Sequence, residues 1–105
     1  MSALPEGLSN ERVFVIIGQY SADAAERRVA VRGEHLARVG DGLRDGRVLL
    51  AGGYEDMSAS ILILRVEAEA EARAWADTDV YVRSGVWTSV DVRPMAAVVL
   101  DGGRA

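Results

Sequence analysis

Residues 61–77 read ILILRVEAEAEARAWAD, and the change of period inside this stretch decides the fold class. Ile61 to Val66 is a short, β-branched apolar run, which suits a buried strand. From Ala68 to Asp77 the apolar residues Ala68, Ala72, Trp75 and Ala76 return at helical spacing with Glu and Arg between them, the pattern of an amphipathic helix. The chain therefore mixes strands and helices, and the flanking sequence shows in what order.

Upstream, RVLLA at 47–51 reads as a second strand ending at Gly52 and Gly53, where positive φ or a close backbone approach is expected, with YEDMS as the following loop. Before it, Ser21 is expected to cap a long helix running to about Asp45, with Asp23 and Glu26 at its positive end. The expected apolar stripe of that helix is Ala25, Val29, Leu36, Val39 and Leu43, with Arg38 among the residues on other sectors. Gly33, Gly40 and Gly42 each cost about 1 kcal/mol relative to Ala in a helix interior, and close packing is the expected return. Gly46 is the expected stop. VFVII at 13–17, bounded by Gly18, is the first strand.

Downstream, residues 78–85 read as an irregular connection. The final strand, VWTSVDVRP at 86–94, alternates so that Val86, Val90 and Val92 share one face and Trp87, Ser89, Asp91 and Arg93 the other. Pro94 is expected to end or bulge the ladder, with MAAVVL continuing as an edge strand or arm. The order β-α-β-β-α-β predicts an α+β domain of the ferredoxin-like type, an antiparallel sheet with two helices on one face. The first and third strands are apolar on both sides, and helices on one side cover only one of them. A second copy packed sheet against sheet is the expected cover, giving a homodimer; a fully buried strand set within a monomer is the alternative.

At 105 residues, with no internal repeat, the chain makes one domain: residues 1–11 as a flexible leader, 12–100 as the folded unit and 101–105 as a flexible tail. Half of the residues are hydrophobic, which is too apolar for a disordered chain. Lysine is absent, so all twelve cations are arginines, scattered among sixteen acids for a net charge of −4. That balance argues against nucleic acid and against an anionic membrane as partners. Without cysteine there are no disulfides, thiolate metal sites or cysteine nucleophiles. No run approaches a membrane span and the first residues lack a basic start followed by an apolar stretch, so a cytoplasmic protein is expected.

His35 is the only histidine. Imidazole exchanges protons near neutrality, and three- and four-residue spacing puts His35 beside Arg28, Val31, Arg32 and Val39 at the edge of a buried face. A structural or solvated histidine is the plainer alternative. Asp77, Asp79 and Tyr81 cluster after the second helix, where a carboxylate could orient the His35 ring; marking a helix end and turn would explain the same residues. Ser60, Ser58 and Tyr20 are weaker candidates as hydrogen-bond donors to a small ligand. Trp75 and Trp87 read as packing residues. No nucleophile elbow, Walker loop, HExxH or histidine pair is present, so neither metal nor nucleotide cofactor is expected.

Several segments together resemble the YCII-related family across about residues 13–95. They are Arg32, His35 and Leu36 in the first helix, Gly46 to Gly52 leading through the second strand, and Ala72 and Trp75 at the end of the second helix. Asp79 and Tyr81 with Val80 between them, and the Gly85 to Pro94 final strand, complete the set. Val80 stands where the family's segment carries proline, and Gly53 where a proline often follows the second strand. The resemblance implies a ferredoxin-like fold assembled as a dimeric α+β barrel, with His35 and Asp79 as a catalytic dyad. It also implies no cofactor and acid-base chemistry on a small molecule of lyase, isomerase or dehydrochlorinase type. Arg32, Tyr81, Ser60 and Gly52 are then the substrate-binding candidates. A non-catalytic dimeric module for a small ligand or a partner protein is the alternative reading.

Overall fold

The computed structural model describes residues 4–101, so the expectations for residues 1–3 and 102–105 lie outside it. Strand β1 (Leu8–Tyr20) leads into the single-turn helix α1 (Ala24–Arg27), a 3-10 turn (Arg28–Ala30) and helix α2 (Arg32–Asp45). Strands β2 (Val48–Gly53) and β3 (Ala59–Leu64) follow, then α3 (Glu69–Asp77), the short α4 (Val80–Arg83) and strand β4 (Trp87–Leu100). The strands form one antiparallel sheet in the order β2-β3-β1-β4, the ferredoxin-like arrangement that the element order implies.

One face of the sheet carries the core. Phe14, Ile16, Leu62, Leu64 and Val92 pack against Val39 of α2, Ala72, Trp75 and Ala76 of α3, and Val80 and Tyr81 of α4. The stripe expected on α3 is thus buried from Ala72 onward, with Ala68 as its N-cap. Gly42 faces Val48, where an added Cβ would come within 2.4 Å of Cγ2, so the close approach expected of the helix glycines is real there. Gly33, with open space around it, has no such neighbour. Gly46 ends α2 in the left-handed conformation, φ 85°, as a C-terminal stop requires.

Four expectations need correction. First, the long helix is two helices joined by a 3-10 turn, and the break at Val31 resets the helical phase. Of the expected stripe only Val39 is buried; Ala25, Val29, Leu36 and Leu43 are exposed, and the buried residues of α2 are His35, Val39 and Gly42. Ser21 does not cap it: its hydroxyl donates to Asp23. Second, Gly52 and Gly53 are ordinary strand residues without positive φ, though Gly53 allows the Tyr20 hydroxyl to approach within 2.8 Å of where a Cβ would sit. Third, Trp87 lies on the core side: the register shifts between Gln19 and Tyr20, leaving Thr88 as an extra residue and turning the indole inward. Fourth, Pro94 neither ends nor bulges the ladder. It pairs with Phe14 because β4 is an edge strand, where a missing N–H is tolerated.

The leader and tail boundaries shift as well. β1 begins at Leu8, and Leu8 to Val13 pair with Met95 to Leu100 as a two-stranded ribbon beyond the reach of β3. Asp101 closes it by donating its N–H to the Gly7 carbonyl at 2.8 Å. The ribbon stretches the molecule to 47 Å in its longest dimension.

Candidate functional site

Asp79 begins the site. It is the N-cap of α4, and its Oδ1 accepts the Tyr81 backbone N–H at 2.9 Å. That role needs only an extended residue with a short acceptor side chain before the turn, so the segment expected to be irregular forms a helical turn instead. Val80 occupies the first helical position, buried at the place where proline would stand. The cap positions Asp79 without a proline ring.

The same carboxylate reaches across to α2. Oδ1 accepts from His35 Nδ1 at 2.8 Å and Oδ2 accepts from Arg38 at 3.2 Å. Asp79 is fully buried, and burial works against its ionisation. The hydrogen bonds from His35 and the Tyr81 amide, with the charges of His35 and Arg38, outweigh this and hold its carboxyl below the ordinary carboxylate range. An ionised carboxylate only accepts, so His35 Nδ1 carries a proton and donates it, and Nε2 is the ring nitrogen that Asp79 leaves unengaged. One carboxylate oxygen of Asp79 thus serves twice: it caps the start of α4 and accepts from the imidazole.

Aromatic groups fix the ring in place. His35 stacks on Tyr81 with centroids 3.8 Å apart and planes 7° from parallel, and Trp87 meets both rings edge to face at 5.5 Å. Gly18 makes this possible, because a Cβ there would lie 2.5 Å from the Trp87 ring. Arg38 lies over the Trp75 ring at 4.0 Å while it donates to Asp79 and Thr78. The two tryptophans are packing residues, as expected: Trp87 packs on the His35 and Tyr81 rings and Trp75 under Arg38.

His35 opens onto a cavity of about 430 Å³ between α2, the β2–β3 turn and the sheet. Arg32, Tyr81, Ser60 and Gly52 all line it, so the structure brings the expected binding residues together around the histidine. Ser60 differs from expectation in one respect: its hydroxyl donates to the Gly52 carbonyl at 3.3 Å, which leaves it an acceptor toward the cavity. Asp77 does not join the site; it is exposed on the last turn of α3. Ser58 is exposed outside the lining. Two contributors, Arg38 and Arg28, are not singled out from the sequence as site residues, and Tyr20 is named there only as a weaker donor candidate. Arg38 is set on another sector of the expected helix, although its spacing of three residues from His35 makes the two neighbours on the helix surface. Arg28 and the Tyr20 hydroxyl come to the cavity only through the 3-10 turn and the end of β1.

The YCII-related domain matches residues 13–96. The protein YciI of Escherichia coli O6:H1 is 38% identical over 96 residues, covering 82% of this chain and 98% of the relative, and that of Shigella flexneri matches to the same extent. An uncharacterized protein of Haemophilus influenzae is 34% identical over 95 residues, covering 81% of this chain and 97% of the relative. Among solved structures, the 5-chloro-2-hydroxyhydroquinone dehydrochlorinase of Burkholderia phenoliruptrix AC1100, in complex with 2,5-dihydroxybenzoquinone, superposes with a TM-score of 0.66 at 20% identity. The match covers 77% of this chain and 90% of that one, and it shows a shared fold.

Proposed function

The chain belongs to the YCII-related family, and from that premise we propose that it is a cofactor-independent acid-base catalyst acting on a small metabolite, of the lyase, isomerase or dehydrochlorinase type. One observation carries the reading: His35 Nδ1 is tied to the buried Asp79 carboxylate while the ring lines a cavity of about 430 Å³. In this reading His35 Nε2 removes and returns a proton, and Asp79 holds the ring and stabilises the imidazolium that forms. Tyr81, Ser60, Gly52 and Arg32 surround the reacting molecule. The dehydrochlorinase with the same fold lends support, since loss of hydrogen chloride is itself a proton-transfer reaction.

Two experiments test it. The ¹⁵N shifts of the single histidine should report the Nδ1-protonated tautomer in the parent protein and a mixture in Asp79→Asn. Exchange of substrate C–H for deuterium in D₂O, followed by NMR across enolisable acids, lactones and chlorinated hydroxyquinones, should find at least one molecule that exchanges. That exchange should fall by about two to four orders of magnitude in His35→Ala. Exchange that survives His35→Ala sinks the mechanism, and tight binding without exchange would make the chain a binding module.

We further propose that two copies associate through the open face of the sheet. Val15, Ile17, Leu50, Ile61 and Ile63 lie opposite the helices, and Leu50 is 60% exposed, an apolar surface of the kind that association buries.

A further inference from the structure

Four hydrogen-bond donors at one side of the cavity have nothing to donate to. Arg28, Arg32, Tyr20 and Tyr81 all line it, and none of the four makes a side-chain hydrogen bond or ion pair with another described residue. Among the other described arginines, Arg27, Arg38, Arg44, Arg47, Arg65 and Arg83 are each paired with a carboxylate, whereas Arg12, Arg73 and Arg93, outside the cavity lining, are not. The one carboxylate in the lining, Glu55, is exposed on the β2–β3 turn and pairs with neither guanidinium. In a protein of net charge −4, this cavity gathers positive charge.

Tyr20, Arg28 and Arg32 each lie within electrostatic reach of Tyr81. Burial raises the Tyr81 phenol above its ordinary value and Tyr20 adds to the rise, while Arg28 and Arg32 act against it. Tyr81 stacks on His35, so its phenol stands beside the imidazole that lines the same cavity.

We propose that this side of the cavity is a carboxylate-binding subsite, and that the molecule processed is a small organic acid. Its carboxylate accepts from Arg28, Arg32 and the Tyr20 and Tyr81 hydroxyls, while its proton-bearing atom faces His35 Nε2. The assignment rests on the acid-base reading for the second half only; recognition of the anion stands on the donors alone. Charge-assisted hydrogen bonds from guanidinium to carboxylate are stronger than neutral ones, and planar forks match a carboxylate's geometry.

The test uses benzoate and its neutral isostere benzamide as probes, with titration calorimetry and the His35 ring resonances as readouts. Benzoate should bind saturably and at least about tenfold more tightly than benzamide. Arg28→Gln and Arg32→Gln should each weaken benzoate by about tenfold, with benzamide unchanged. Both arginines lack partners to lose, so these variants should fold normally, and Arg44→Gln serves as a remote control. His35→Gln should keep benzoate binding, so that a failed catalytic reading and a failed subsite give different results. Equal affinity for the two probes, no saturable benzoate binding, or benzoate binding unchanged in both arginine variants would overturn the proposal.

Discussion

The two faces of the sheet are built from alternate residues of the same strands, yet they meet opposite conditions. On one, Phe14, Ile16, Leu62 and Leu64 disappear under α2, α3 and α4; on the other, Val15, Ile17, Ile61 and Ile63 stay half-buried with Leu50 open. Near-identical chemistry thus acquires different duties from what lies above it. The covered face also runs out near Gly18, Ser60 and Gly53, and the cavity forms where the helices no longer reach the sheet.

The largest effect is expected where the covered face holds charge. Asp79→Ala strips the acceptor from His35, Arg38 and the Tyr81 amide, and should cost about 3–5 kcal/mol in chemical denaturation, the usual result of breaking a buried pair. Because the folded Asp79 carboxyl titrates below its unfolded value near 3.9, its contribution is complete above that value and lost as pH falls through the folded one. Asp79→Asn should therefore flatten the acid limb of the stability profile. Unchanged acid denaturation would mean that the carboxylate is not held as described.

Next in size, Leu62→Ala on the covered face should cost about 2–5 kcal/mol, through lost burial and the cavity left behind. Gly42→Ala, pressing a methyl group onto Val48, should cost about 1–3 kcal/mol by thermal melting. Its neighbour by type, Gly33→Ala, has open space and should be neutral or slightly stabilising. The smallest effect on intrinsic stability belongs to the open face. Ile63→Ser should shift sedimentation toward monomer while changing monomer unfolding by less than about 1 kcal/mol. A parent protein that sediments as a monomer would break the comparison, since the open face would then have no cover.

Much of this was legible in residue order, and the exceptions share a cause. The strands and α3 follow from period alone. The phase of α2 does not, because the break at Val31 carries neither proline nor glycine to announce it. The inward turn of Trp87 depends on a bulge, a matter of register with β1 that strand β4 does not contain in itself. Pro94 is harmless only because β4 lies at the edge, which strand order decides. At the site, pairing His35 with Asp79 rested on family resemblance. That Arg28 and Tyr20 meet at one cavity required knowing how a 3-10 turn and a strand end come together in space.

Trp75 and Trp87 are the only tryptophans, and each touches the dyad's surroundings: one beneath Arg38, the other against the His35 and Tyr81 rings. The protein's natural ultraviolet emission therefore originates almost entirely beside its candidate site. Changes in the charge of the imidazole or in the position of Arg38 should alter brightness and colour without any attached dye. An unlabelled sample in a cuvette becomes a continuous reporter of the cavity's state.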